Sequence, residues 1–392
     1  MSLRTLDDLG DVAGRAVFVR ADLNVPLEGG AVADDARIRA TIPTLLELLE
    51  GTPRLVLASH LGRPGGVANG DLRLAPVGAR LAELLDREVV TMSEPAPERT
   101  SDAPIVLLEN LRFDPGEETN DVTFAGRLAE LADAYVNDAF GAAHRKHASV
   151  AALPELMRAS GRPAVAGRLL QGEIDVLSRL VHEPERPYVA ILGGAKVSDK
   201  LAVVDALIER VDALLIGGAM AFTFIAAEGG AVGDSLVEPD RFDDVRAARK
   251  KAADRGVLIE LPQDVVAASE ISLDARRLTV PATEIPLGMK GLDVGPRTVE
   301  GFARILADAR TILWNGPMGV FELEPFSAGT RGVALAVAGT SAFSVVGGGD
   351  SLLAVKRAGL EGSFDHLSTG GGASLEFLEG AELPGVAVLE DR

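Results

Sequence analysis

No cysteine occurs among the 392 residues. That absence excludes disulfides, thiol catalysis and cysteine-ligated metals together. Long apolar runs are scarce as well. The N-terminus, Met-Ser-Leu-Arg-Thr-Leu-Asp-Asp, carries acids and no apolar core, so it does not read as a secretory signal. The stretch from Gly332 to Gly349 is uncharged, but it is interrupted by Gly339-Thr340-Ser341 and built largely of Ala, Gly and Ser. It predicts a buried helix followed by a buried strand, not a membrane span. Positive charge is in deficit: 39 Lys and Arg face 58 Asp and Glu, a net charge of −19. An acidic surface disfavours non-specific association with nucleic acid or anionic membrane. It leaves room for a local cluster of arginines that binds a small anion. A cytoplasmic monomer without nucleic-acid or membrane partners is the expectation.

What the chain has is apolar material and alternation. Hydrophobic residues make up 47% and charged residues 25%, a globular composition with length for two domains. Short apolar runs at Ala16–Val19, Arg54–Ala58, Ile105–Leu108 and Ala134–Val136 predict strands of a first half. Tyr188–Leu192, Ala213–Ile216, Val257–Leu261, Ile312–Trp314 and Phe343–Val346 predict strands of a second. Helical patterns lie between them, as at Ile38–Leu49, Ala75–Leu85, Phe124–Leu131 and Lys200–Ile208. Such alternation implies an α/β protein: two doubly wound, Rossmann-like parallel-sheet domains. The junction is expected near residues 160–187, after Ser160-Gly161-Arg162-Pro163 and across a helix at Leu169–Leu180. We set the domains at 1–168, 169–375 and a C-terminal tail at 376–392.

In open parallel sheets ligands bind beyond the carboxyl ends of the strands, so the residues that follow each strand matter most. In the first half these are cations. Arg20-Ala-Asp22-Leu23-Asn24 follows the first strand, and Arg37 opens the next helix. Ser59-His60-Leu61-Gly62-Arg63, Glu109-Asn110-Leu-Arg112 and His144-Arg145-Lys146-His147 follow the others. The planar fork of arginine suits bidentate contact with phosphate and carboxylate. Any single Arg reads equally well as a surface ion pair, but a series at consecutive strand ends reads as a site for a small, multiply charged anion. The histidine spacing matches no zinc pattern.

In the second half the strand ends carry glycine. Gly193-Gly194-Ala-Lys196-Val-Ser-Asp-Lys200, Gly217-Gly218, Asn315-Gly316-Pro317-Met-Gly319-Val-Phe-Glu322, Gly347-Gly348-Gly349-Asp350-Ser351 and Gly370-Gly371-Gly372 form the set. Glycine permits close backbone approach to phosphate, and N–H groups at helix N-termini point at it. Lys196 and Lys200 add charge, and Asp350 is a candidate Mg²⁺ ligand. No Walker A loop or GxGxxG turn is present. A single Gly-Gly is usually only a turn, whereas this series favours a nucleotide-phosphate cradle. A small anion beside a nucleotide points to phosphoryl transfer.

These motifs, taken in order and nearly end to end, resemble phosphoglycerate kinase. Arg20–Pro26, Ser59–Pro64, Glu109–Phe113, His144–Ser149, Gly193–Lys200, Trp314–Glu322 and Gly347–Ser351 carry the resemblance. It implies that the first half binds 3-phosphoglycerate or 1,3-bisphosphoglycerate and the second Mg-ADP or Mg-ATP. By position, Asp22, Asn24, Arg37, His60, Arg63, Arg112 and Arg145 would contact the glycerate anion, with Arg20, Leu23, Leu61, Gly62 and His144 around it. Lys196, Gly193, Gly217, Gly291, Asn315, Glu322, Gly348, Gly349, Asp350 and Ser351 would hold the nucleotide, Glu322 on the ribose and Asp350 on the metal. Arg37, Lys200 and the N–H groups near Gly371 and Gly372 would meet on the transferring group when the domains close. The resemblance also implies a tail, Leu383–Leu389, that packs on the first domain.

Some positions depart from the family pattern. Ala219 stands where a third glycine is common, which is expected to narrow the nucleotide pocket, and Ala142 replaces a frequent Thr or Ser. Gly172 falls inside a predicted helix, at a cost of about 1 kcal/mol relative to Ala. Two other classes share the organisation. An NAD-dependent dehydrogenase would need a GxGxxG turn and an acidic ribose ligand about 20 residues on, and neither is evident. A two-lobed anion-binding protein would usually carry an export signal and lack a nucleotide cradle.

Overall fold

The computed structural model describes residues 2–92 and 103–391, and the chain divides into two compact units. Residues 1–175 and 382–392 form the first, residues 176–381 the second. The division falls inside one helix, Arg168–His182.

The first unit holds a six-stranded parallel sheet. Its spatial order is Val89–Thr91, Ile105–Leu107, Arg54–Ala58, Ala16–Ala21, Ala134–Asp138, Ala164–Ala166. The central strands are buried on both faces, which is why they read as unbroken apolar runs. Helix Ala36–Gly51 lays Ile38, Thr41, Thr44, Leu45 and Leu48 inward, a spacing of three and four that places one face on the sheet. Register then does the functional positioning. Arg20 is level with Ala58 on one side and with Asn137 on the other, so the segments after these strands emerge side by side.

The tail belongs to this unit. Gly385 N donates to Ala143 O (2.9 Å), Asn137 Nδ2 donates to Gly385 O (3.1 Å), and Leu3 bridges Glu390. The tail thereby braces the turn that leads into His144.

The second unit has its own six-stranded parallel sheet. The order is Leu258–Glu260, Ala213–Ile216, Tyr188–Leu192, Thr311–Asn315, Phe343–Gly347, His366–Ser368. Asn315 is level with Leu192 and Gly347, Ile216 with Leu192, and Gly347 with Ser368. All the glycine loops therefore leave one edge of one sheet. The uncharged stretch falls in helix Ala328–Ala338, which buries only the face of Gly329, Thr330, Val333, Ala334 and Val337 and leaves Leu335 exposed, and in strand Phe343–Gly347, which is buried as expected. Among the described residues no helix is long and apolar enough to cross a membrane.

Some elements were not foreseen. The edge strands Val89–Thr91, Ala164–Ala166 and His366–Ser368 are three residues each, too short for a periodicity signal. An antiparallel sheet of Asp264–Ala268, Arg277–Pro281 and Lys290–Val294 adds a layer to the second unit. One of its outer strands, Arg277–Pro281, is mostly exposed and interleaves Arg and Thr with Leu and Val, so no continuous apolar run marks it.

Candidate active site

In the first unit the strand-end residues converge on a cationic cluster. Arg20 is fully buried; its Nε donates to Ser149 Oγ (2.8 Å), Nη1 to Ala21 O, and Nη2 lies 3.1 Å from His60 Nδ1. Arg37, half-buried, donates through Nη1 to Asp22 Oδ2 (3.1 Å) and Asn24 O (3.2 Å). Asn24 Oδ1 accepts from Gly62 N (2.9 Å), and Arg112 Nη1 donates to Gly62 O (2.6 Å). One turn, Leu61–Gly62, is thus held from both sides by predicted ligands. Leu23 and Leu61 are buried packing beneath them, whereas Arg63 is exposed and His144 and Arg145 are half-buried.

Cations outnumber anions there. Arg20, Arg37, Arg112 and Arg145 face Asp22, Glu117 and Glu118, with Arg112 Nε 3.2 Å from Glu118 Oε1. The histidines respond to that field. Burial, reinforced by Arg20, Arg112 and Arg37, holds His60 well below the usual histidine range. Burial and then Arg112, Arg20 and Arg145 push His147 down to about 3. Its Nδ1 lies 3.8 Å from Glu117 Oε1, but a neutral imidazole makes no ion pair. Surplus guanidinium charge beside neutral imidazoles, gathered from four strand ends, suits a small anion.

Just behind this cluster, Asp138 ends its strand in a buried pocket. It accepts from Thr41 Oγ1 (2.6 Å) and Leu169 N (2.9 Å), and burial raises it to about 6. It therefore ties the helix that carries Arg37 to the first turn of helix Arg168–His182. Gly172, within that helix, has nothing within 4 Å of where a Cβ would stand. No packing requirement explains the glycine.

The second unit contains a cavity of about 520 Å³. Gly291, Glu322 and Asp350 line it, together with Gly194, Gly218 and Ala219. Of its apolar walls, Phe222, Leu236 and Ile271 come from segments with no motif and had no signal in the sequence, whereas Met318 lies inside the Trp314–Glu322 motif. Behind the wall, Asn315 Nδ2 donates to Gly347 O (2.9 Å) and Ser351 Oγ accepts from Gly316 N (2.6 Å). These two side chains lock neighbouring loops together. Lys200 Nζ donates to Asn315 O (3.0 Å) and to Asn315 Oδ1, and burial lowers its ammonium to about 8, still charged at neutral pH. Lys196 is exposed on the same loop. Asp293, buried in the cavity wall, is raised to about 7 by burial and accepts from Gly329 N (2.6 Å) and Val294 N (3.0 Å).

The glycines divide into two kinds. Gly193 and Gly217 are buried, and a Cβ there would stand 2.1 Å from Pro317 O and 2.3 Å from Met318 Sδ respectively. A Cβ on Gly291 would stand 2.1 Å from Phe222 Cζ. Backbone packing demands glycine at Gly193, whereas at Gly217 and Gly291 a Cβ would have to displace the Met318 and Phe222 side chains. Gly349 has open space around it, and Gly348 (φ +92°) and Gly371 (φ +53°) adopt backbone that L side chains rarely take. They precede or begin helices Gly349–Ala358 and Gly372–Glu379, whose first N–H groups carry the positive end of the dipole. Asp350 lies in the first turn of the former.

Comparison with known proteins identifies the family. A sequence model described as phosphoglycerate kinase matches residues 6–381. The chain belongs to the phosphoglycerate kinase family. It is 52% identical to the phosphoglycerate kinase of Thermomicrobium roseum over 99% of each chain, and 53% identical to that of Rubrobacter xylanophilus over 100% of this chain and 99% of the relative. Among solved structures, phosphoglycerate kinase from Coxiella burnetii superposes with a TM-score of 0.89 at 40% identity, covering 99% of both chains. The Pyrococcus horikoshii enzyme gives 0.83 at 32% identity, covering 99% of this chain and 98% of that one. The protein is therefore an enzyme, a phosphotransferase that moves a phosphoryl group reversibly between ATP and 3-phosphoglycerate. Membership implies the binding of ATP and magnesium typical of phosphoglycerate kinases.

Proposed function

We propose that the cationic cluster of the first unit holds 3-phosphoglycerate or 1,3-bisphosphoglycerate and that the cavity of the second holds ADP or ATP. One observation carries this assignment: cations follow the strands of one sheet, and glycine loops follow those of the other. Asp22, Asn24, Arg37, His60, Arg63, Arg112 and Arg145 would meet the glycerate phosphate and carboxylate, with Arg20 and His144 behind them. Lys196, Gly291, Glu322, Gly348, Gly349 and Asp350 would meet the nucleotide, Glu322 at the ribose, with Asn315 and Ser351 holding the loops from behind.

The donor set fits magnesium: one carboxylate, Asp350, at a helix N-terminus that would also hold phosphate oxygens. When bound, magnesium supplies charge neutralisation on those oxygens. The acid nucleophile is already ionised at neutral pH, so no general base is needed. Catalysis then consists of positioning and charge stabilisation. Arg37, Lys200 and the N–H groups at Gly371 and Gly372 would bear on the transferring group. The reaction requires the acid held by one unit and the nucleotide held by the other to meet at a single phosphorus with water excluded. The acidic surface suits a cytoplasmic monomer that acts on small molecules.

Backbone amide shifts on titration with each ligand test the assignment. 3-Phosphoglycerate alone should move the amides of His60, Gly62 and Arg112, and Mg-ADP alone those of Gly194, Gly291 and Gly349. The reverse pattern would overturn the assignment.

A further inference from the structure

Behind the cationic cluster lies a directed chain of buried polar groups that no ligand contact explains. Glu117 is fully buried, and both its oxygens are taken by one residue: Ser149 N donates to Oε2 (2.9 Å) and Ser149 Oγ to Oε1 (2.6 Å). A hydroxyl has one proton. Having given it to Glu117, Ser149 Oγ can only accept, and it accepts from Arg20 Nε at 2.8 Å. The Ser149 carbonyl is fixed in turn by Tyr135 Oη (2.8 Å). The Arg20 guanidinium is thus held in its plane, with Nη2 placed 3.1 Å from His60 Nδ1.

That contact decides a tautomer. A guanidinium has no lone pair to offer, so Nδ1 must accept and the ring proton must sit on Nε2. We propose that Glu117 and Ser149 are positioning residues of the anion site, which act through Arg20 to fix His60 as the neutral Nε2–H tautomer. The ring then offers its ligand a hydrogen-bond donor and never a lone pair, which an anion would repel. Burial and the surrounding arginines oppose the imidazolium in the same direction. The functional half of this inference rests on the reading of the cluster as the glycerate site; the tautomer does not.

The test uses the intact chain with ¹⁵N-labelled histidine at pH 7.5. His60 should show an unprotonated Nδ1 and a protonated Nε2 in the free enzyme. Ser149→Ala removes the acceptor for Arg20 Nε; it should give mixed tautomers and raise the KM for 3-phosphoglycerate about tenfold, the loss of one charge-assisted hydrogen bond. kcat and the KM for Mg-ATP should stay within about twofold, since transition-state contacts are untouched. Ser149→Thr, which keeps the hydroxyl, should restore both readouts. A proton on Nδ1 in the wild-type protein would overturn the proposal whatever the variants do, and so would a Ser149→Ala protein with unchanged tautomer and KM. The correct tautomer in a protein that does not bind 3-phosphoglycerate would instead count against the substrate assignment.

Discussion

Arg37→Ala should lower kcat by on the order of 10³, about 4 kcal/mol of transition-state stabilisation, with the KM for Mg-ATP changed less than threefold. The geometry explains why one guanidinium is asked to supply so much. Arg37 spends one nitrogen on Asp22 Oδ2 and Asn24 O, which anchors the fork at the top of helix Ala36–Gly51 and leaves the other nitrogen of the fork for a ligand. An arginine already oriented by its own domain needs no reorganisation when charge develops on a transferring phosphoryl group. Arg37→Lys keeps the charge but loses the fork, and should recover only part of the rate. Steady-state kinetics in both substrates would check this. A kcat unchanged in Arg37→Ala would remove Arg37 from the catalytic step.

The second large effect is on stability. Gly193→Ala would push a Cβ to 2.1 Å from Pro317 O and 2.7 Å from Gly316 O, backbone atoms of the neighbouring strand-end loop that cannot rotate away. Overpacking against backbone costs about 3 kcal/mol or more, which lowers Tm by roughly 6–12 °C for a unit of this size. Gly349→Ala is the contrasting control. Its Cβ would enter open space at the start of helix Gly349–Ala358, so Tm should hold while the KM for nucleotide rises. Thermal unfolding of the two variants side by side separates the packing glycine from the ligand glycine. Equal Tm losses would refute the distinction.

That contrast marks the limit of what sequence alone reveals here. The strand ends were legible because parallel strands buried on both faces read as apolar runs, and the residues that follow them are necessarily near a ligand crevice. Sequence could not separate Gly193 from Gly349, since both follow a strand and only the tertiary neighbour of one forbids a side chain. Glu117 drew no attention for the same reason. Its partner Ser149 is 32 residues away, and Arg20 lies 129 residues from Ser149, so the chain of hydrogen bonds exists only once the sheet has formed. The cavity walls Phe222 and Ile271 are ordinary apolar residues until the antiparallel sheet and helix Met220–Ala227 bring them to Gly291. Arg20 itself was legible as a cation at a strand end, but its full burial and its role behind His60 were not.

The central claim is that these two half-sites together run one reaction, and turnover measures it directly. Purified protein supplied with 3-phosphoglycerate, ATP and Mg²⁺, coupled to consumption of 1,3-bisphosphoglycerate, should form ADP continuously. Omission of 3-phosphoglycerate or chelation of the metal should abolish it. A folded sample that gives no turnover under the complete conditions, or ADP formation that persists without 3-phosphoglycerate, would contradict the claim.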